Sequence, residues 1–194
     1  GNNYRGTQGT AFMCDLGDSA QLHSTLAPNL TPNGVFYNQS QVKIADITDG
    51  TSQTAMFSEQ LRGGGRPYPQ GTNVIFMMPN QTTLMGTYQT CQSLSPATAM
   101  PMTWNRGACW AMGEDCCTLY NHVSPPNTLT CAGMGFPGGM VNMAMDSPPT
   151  SSHTNGVNVG FCDGSVHFVS NAISLQTWWA LGTRNGGDIP GPDW

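Results

Sequence analysis

His153–Val169 reads HTNGVNVGFCDGSVHFV, and its two apolar, β-branched runs, Val157–Phe161 and Val166–Val169, flank Cys162-Asp163-Gly164-Ser165. Asp-Gly is a preferred pair for a two-residue hairpin turn of type I′, in which both central residues need positive φ. With Asp163 and Gly164 as the loop, Phe161 faces Val166 and Val159 faces Phe168. Val157, Val159, Phe161, Val166 and Phe168 then share a core face, and Asn158, Gly160, Cys162, Ser165 and His167 share a polar one. A one-residue slip would exchange the two faces, so the pattern is expected to hold the register strongly.

Composition sets the frame around this hairpin. The chain has 194 residues, enough for one domain with a real core. Charged residues are only 9%, against ~25% in typical soluble domains. With a net charge of -5 and no Lys/Arg cluster, the footprint of a nucleic-acid binder is missing. No apolar run approaches the ~18 residues of a membrane span. The 24 glycines and 14 prolines favour short strands and long ordered loops over helices.

Seven cysteines, Cys14, Cys91, Cys109, Cys116, Cys117, Cys131 and Cys162, include no CxxC pair. All seven are disulfide candidates, and an oxidising, extracellular compartment is the matching environment. The odd count leaves one thiol unmatched within the chain. Cys116-Cys117 admits a vicinal bridge or two separate ones.

The chain order yields further expectations. Gly1–Thr10 reads as an extended lead-in around Tyr4, and Asp15–Asn33 as loop with at most one helical turn. Gly34–Tyr37 and Val42–Ile44 read as strand-like, the latter with Lys43 outward. Thr54–Glu59 and residues 72–78 read as strands. Pro79–Ser152 holds five of the seven cysteines and reads as a long, disulfide-stapled insertion with short strands of its own, anchored by Trp104 and Trp110. Ser174 is a candidate N-cap for a short helix over Leu175–Leu181, stopped at Gly182. The fold class expected is α+β, predominantly antiparallel β, with long disulfide-stapled loops and one short C-terminal helix, as a single domain over 1–194 with an insertion at about 79–152.

Three segments in a fixed order carry a resemblance. His153, nine residues, then Asp163-Gly164 closely resembles the C-terminal signature of the bacterial prepilin-type-processing-associated proteins with a His, nine-residue, Asp-Gly domain. Asp46-Ile47-Thr48-Asp49-Gly50-Thr51-Ser52-Gln53-Thr54 followed by Glu59 resembles that family's second motif, and Leu181–Asp188, with Arg184, Gly186 and Gly187, resembles its usual ending. The resemblance implies a pilin-like globular domain without its N-terminal helix. Members usually begin with a prepilin leader, a long apolar helix and a Cys-bearing segment. That missing N-terminal segment, further copies of the chain or other pilin-like subunits are therefore the expected partners.

The chemistry-bearing residues read as structural. His153 and Asp163 are ten residues apart, ~33 Å along an extended strand, so Asp163 is expected to serve the turn and His153 the backbone at the strand entrance. Asp46 and Asp49 are candidate calcium ligands, with Asx-turn capping as the competing role. Ser58 beside Glu59 lacks the strand-turn-helix frame of a hydrolase. The expectation is a protein that is not an enzyme and needs no cofactor: a structural subunit of a bacterial cell-surface filament, lattice or secretion-type assembly, or alternatively a secreted binding module for a glycan or protein.

Overall fold

The computed structural model describes residues 2–13, 32–37, 39–63, 74–107, 109–134 and 143–194. Cys14, most of the loop read at Asp15–Asn33, and Gly64 and Gly65 lie outside them. The fold is α+β, with two mixed sheets and two short helices among the described residues.

The first sheet contains β1 (Tyr4–Thr7), β2 (Ala55–Glu59), β5 (Leu119–Tyr120), β8 (Gly156–Phe161) and β9 (Val166–Ser170), in the order β5-β1-β2-β8-β9. Only the β5–β1 pair is parallel. The second sheet contains β3 (Val74–Pro79), β4 (Pro101–Asn105), β6 (Thr130–Met134) and β7 (Met145–Asp146), in the order β4-β3-β6-β7, with β3 and β6 parallel. Helix α1 (Leu84–Gln92) packs on the second sheet and α2 (Leu175–Gly182) on the first.

The hairpin forms, but one residue out of the expected register. Val159 pairs with His167, Gly160 with Val166, and Asn158 with Phe168. The cause is the turn. Phe161 N–H donates to the Ser165 carbonyl, and Gly164 N–H donates back to the Phe161 carbonyl, leaving a three-residue loop with Gly164 at φ 88. This is the turn-plus-bulge hairpin rather than the two-residue type I′ form. Val157, Val159, Phe161 and Val169 are consequently buried inward, while Val166 (67% exposed) and Phe168 (51% exposed) point outward. His167 moves to the inner side, edge-on to Phe161.

Several other expectations change. The supposed lead-in is β1, and it sits between β2 and β5 rather than outside the fold. Its inward residues are Arg5 and Thr7, both fully buried and polar, so no apolar alternation announces it. Neither Gly34–Tyr37 nor Val42–Ile44 forms a strand. Gly34 and Phe36 N–H groups donate to the carbonyls of Gln8 and Thr7, while Ile44 opens a single 3-10 turn and is 77% exposed.

The 79–152 region supplies most of the second sheet and also sends β5 into the first. It contains a helix that the sequence reading omits: α1, capped by Thr83 Oγ1 accepting from Gly86 N–H, with Thr87 and Cys91 buried four residues apart. Trp110 is 75% exposed and anchors nothing; the Trp104 side chain lies outside the described set.

Helix α2 follows the sequence reading. Ser174 Oγ accepts from Thr177 N–H, and Trp178 and Leu181, three residues apart, meet Ala55, Val157, Val159, Phe161, Val169 and Ile173. Each such fully buried apolar side chain stabilises the fold by roughly 1.5–3 kcal/mol. Trp178 also stacks on the buried His122 at 3.9 Å.

A polar seam joins the sheets. Arg5 donates to the carbonyls of Asp115, Leu119 and Cys116. Asn121 Nδ2 donates to the Met145 carbonyl, and Ser147 N–H donates to Asn121 Oδ1. Such buried polar groups are tolerable only because they are hydrogen-bonded.

One disulfide closes among the described residues: Cys91 on α1 to Cys131 on β6, with Cα atoms 5.7 Å apart, inside the range a bridge requires. This bridge staples the 79–152 insertion, as expected, while Cys109, Cys117 and Cys162 are in no disulfide among the described residues. Hydrogen-bonded strand pairing and apolar packing hold the insertion as well. No described helix is long and apolar enough to cross a membrane.

Candidate functional site

The three quoted motifs fold into two polar knots on the first sheet. In the first, Asp49 follows the 3-10 turn Ile44–Asp46, and its carboxylate accepts from Gly186 N–H at 2.7 Å and Gly187 N–H at 2.9 Å. Thr183 Oγ1 lies 3.2 Å away, its single proton shared among Asp49, Asp188 and the Ala180 carbonyl. Gly187 at φ 73 turns its amide toward the carboxylate, a conformation that a side chain disfavours. Asp49 N–H donates in return to the Arg184 carbonyl.

Arg184 carries the knot further. Its Nη1 donates to the carbonyls of Pro32 and Gly34 at 3.0 and 2.7 Å, and its guanidinium lies 5.5 Å over the Tyr37 ring. Thr54 Oγ1 reaches the carbonyls of Gly50 and Thr183. Beside this lattice opens a cleft of ≈ 650 Å³, lined by Tyr37, Gln39, Gln41, Asp46, Arg184 and Asn185 among others. Asp46 is turned to Lys43 N–H, at 2.8 Å, rather than toward Asp49. Among the described residues no three His, Cys, Asp or Glu side chains gather as a metal site.

The second knot holds His153. Its Nε2 lies 3.2 Å from Glu59 Oε2, and Glu59 Oε1 accepts from the backbone and side chain of Asn158 at 2.6 and 3.1 Å. The ring stands edge-on to Phe168. His153 and Asp163 flank opposite ends of β8, and Asp163 accepts from Ser165 N–H and Oγ within the turn. These hydrogen bonds hold Asp163 below the usual carboxylate range. The turn is pinned to the second motif as well, since Cys162 and Asp163 N–H donate to the carbonyls of Thr54 and Thr51.

Chemically, the arrangement binds chain to chain. His153 and Glu59 make an acid-base pair, but the adjacent hydroxyl, Ser58, points to the opposite side of β2 and donates to the Asn158 carbonyl. Asn158 and Thr183 are parts of these knots that sequence reasoning missed. Nothing local singles them out; their roles appear only when β2 meets β8 and the C-terminal turn meets Asp49.

The outer side of the first sheet is the remaining feature. One row across it runs Tyr4, Glu59, Asn158, Phe168, and the next Gly6, Phe57, Gly160, Val166. Tyr4 (68% exposed), Phe57, Val166 and Phe168 are all exposed, with the Phe36 ring tilted against Phe57 at a centroid distance of 4.8 Å. His153 and Glu59 sit in the middle of this aromatic surface.

A family model described as a protein of unknown function (DUF1559) matches residues 4–176, and the chain belongs to that family. No curated protein and no solved structure matches it.

Proposed function

We propose that this member of the DUF1559 family is a non-enzymatic, pseudopilin-like subunit of a bacterial cell-surface filament, lattice or secretion-type assembly. Within the family we place it with the His, nine-residue, Asp-Gly group of prepilin-type-processing-associated proteins. The observation that carries the reading is the outer side of the first sheet, where Tyr4, Phe57, Val166 and Phe168 are all exposed on the side that holds His153 and Glu59. Surfaces of this kind mark sites of protein contact, and aromatic side chains are enriched at interface cores. The low charge content is in keeping with a chain much of whose surface is covered in use.

Two further features support it. The motif residues spend their hydrogen bonds on backbone groups of distant segments, as a scaffold does. The Cys91–Cys131 bridge suits an oxidising location outside the cytoplasm. Electron microscopy of the native surface material tests the proposal: ordered repeats containing this chain are expected, and isolated particles without regular contacts would sink it.

A secreted binding module is the second reading, favoured by the cleft beside Arg184. Tyr37, Gln39, Gln41 and Asn185 offer an aromatic platform and uncharged donors of the sort that engages a glycan. Saturation-transfer NMR with neutral oligosaccharides would support it only if Tyr37→Ala abolishes the signal.

A further inference from the structure

We infer that β9 is an open sheet edge that pairs antiparallel with β9 of a second copy of this chain, about a two-fold axis at His167, joining two first sheets into one. The inference rests on the assembly reading and specifies one of its contacts.

The hairpin decides which backbone groups are free. Phe161 N–H donates to the Ser165 carbonyl, so these two form a hydrogen-bonded pair of the ladder, and by alternation Val159–His167 and Val157–Val169 do as well. Val166 and Phe168 therefore turn their N–H and C=O groups away from β8, toward the outside of the sheet. Among the described residues nothing hydrogen-bonds to those outward groups. The next outward carbonyl, that of Ser170, already accepts from Ile173 N–H at 3.2 Å.

The other sheet edges are protected. Strands β5 and β7 are two residues long and buried, and β4 opens on Pro101. Short strands, proline, charges and bulges are the means by which edges are blunted. Strand β9 has none of them. It reads VHFVS over five residues, runs in unbroken register with β8, and exposes Val166, His167 and Phe168.

A second β9 fits this edge group for group. With the axis at His167, Val166 of each copy faces Phe168 of the other, and each such antiparallel pair exchanges two N–H···O bonds. Every outward N–H and C=O of Val166 and Phe168 is then satisfied. Each pair also sets a β-branched side chain beside an aromatic ring on the outer side, a favourable combination across strands. An axis at Phe168 would instead set Val166 against Ser170, whose carbonyl is engaged. Charge permits the His167 register: Asp163 falls opposite Asn171, so a chain of net charge -5 meets itself here without opposed carboxylates. Tyr4, Phe57, Val166 and Phe168 of both copies come to lie on one side of the joined sheet.

The test starts from the native full chain, with amide exchange followed at low and high concentration. Val166 and Phe168 amides should gain protection several-fold on concentration, while Gly113 stays unchanged. Val166→Pro removes an N–H that β8 does not use, and with it two hydrogen bonds per dimer, so association in sedimentation velocity should weaken roughly tenfold or more. Val166→Thr keeps the N–H and should associate much like the native chain. His167→Cys places two sulfurs in the pair at the axis, with Cα atoms ~4.5 Å apart, within the range of a disulfide; mild oxidation should yield a 167–167 cross-linked peptide on mass mapping. Association with no added protection at either amide, and with native strength in Val166→Pro, would overturn the edge pairing while leaving the assembly reading to the sheet's outer side. A chain that stays monomeric at every concentration would overturn both. Exchange on the native chain decides the matter alone if a variant fails to fold.

Discussion

Replacing Asp49 by Ala removes the acceptor for Gly186 N–H at 2.7 Å and Gly187 N–H at 2.9 Å, and one of the three acceptors open to Thr183 Oγ1. Hydrogen bonds to a charged group contribute ~1.5–3 kcal/mol. Both amides are solvent-exposed and regain water on mutation, so the low end applies to each, and the third contact adds only a fraction. The total is about 3–3.5 kcal/mol, or ~6–14 °C in Tm at ~2–4 °C per kcal/mol for a chain of this size. Asp49→Asn keeps one acceptor oxygen and should lose about half as much. Thermal unfolding by circular dichroism gives the totals, and amide exchange locates them. Gly186 and Gly187 should lose protection while Val159 in β8 keeps its own. A loss under ~0.5 kcal/mol, or unchanged protection at both glycines, would refute the idea that this carboxylate joins the second and third motifs.

The other perturbations probe separate features. Gly164→Ala meets no neighbouring atom but holds φ 88, so it should cost ~1–2 kcal/mol from backbone strain alone; Gly113→Ala, equally open and without positive φ, should be close to neutral in the same melt, and equal effects would contradict the bulged turn. Glu59→Ala strips the acceptor from Asn158 inside the β2–β8 pair and should cost ~1–2 kcal/mol, whereas His153→Ala, at a half-exposed contact with the same carboxylate, should cost under ~1 kcal/mol; denaturant midpoints in the reverse order would be incompatible with the second knot. Burial lowers His122 from 6.5 to about 3, so the unfolded chain binds the extra proton and stability falls as pH drops from ~6.5 toward ~3. Burial raises Asp146 from 3.8 to about 7, against hydrogen bonds from Ser124 and Gln92, so its contribution is full below ~3.8 and is lost as pH rises through ~7. The two slopes oppose each other between those limits. Asp146→Asn should turn a nearly flat profile into one rising toward neutrality by up to ~1.4 kcal/mol per pH unit, as urea titrations at several pH values would reveal.

Local chemistry in the sequence predicted local structure well. The Asp163-Gly164 hairpin, the Thr54–Glu59 strand, the Val74–Pro79 strand and the Ser174-capped helix all carry their signals within a few residues. The hairpin's register was not legible, because Asp-Gly serves both a two-residue loop and a three-residue loop with glycine at its last position. That single difference moves Val166 and Phe168 from the core to the surface and so creates the aromatic side on which the functional proposal rests. Strand β1 was hidden by Arg5 and Gly6, whose places are set by partners more than a hundred residues away or by the ring of Phe36. Helix α1 carried only a short stripe, Leu84, Tyr88 and Cys91, beside the buried but polar Thr87, too little for periodicity to announce it. The motif residues were named from sequence, but their pairing of Asp49 with Gly186 and Gly187, and of His153 with Glu59, depends on tertiary contacts that spacing does not encode.

The central claim is that the exposed aromatic side of the first sheet is an assembly surface. Sedimentation velocity over a wide concentration range, comparing the native chain with Phe168→Glu, tests it most directly. The account predicts concentration-dependent association that the substitution abolishes, with unchanged far-ultraviolet circular dichroism because Phe168 lies outside the core. A native chain that stays monomeric at every concentration, or association that Phe168→Glu leaves intact, would contradict it.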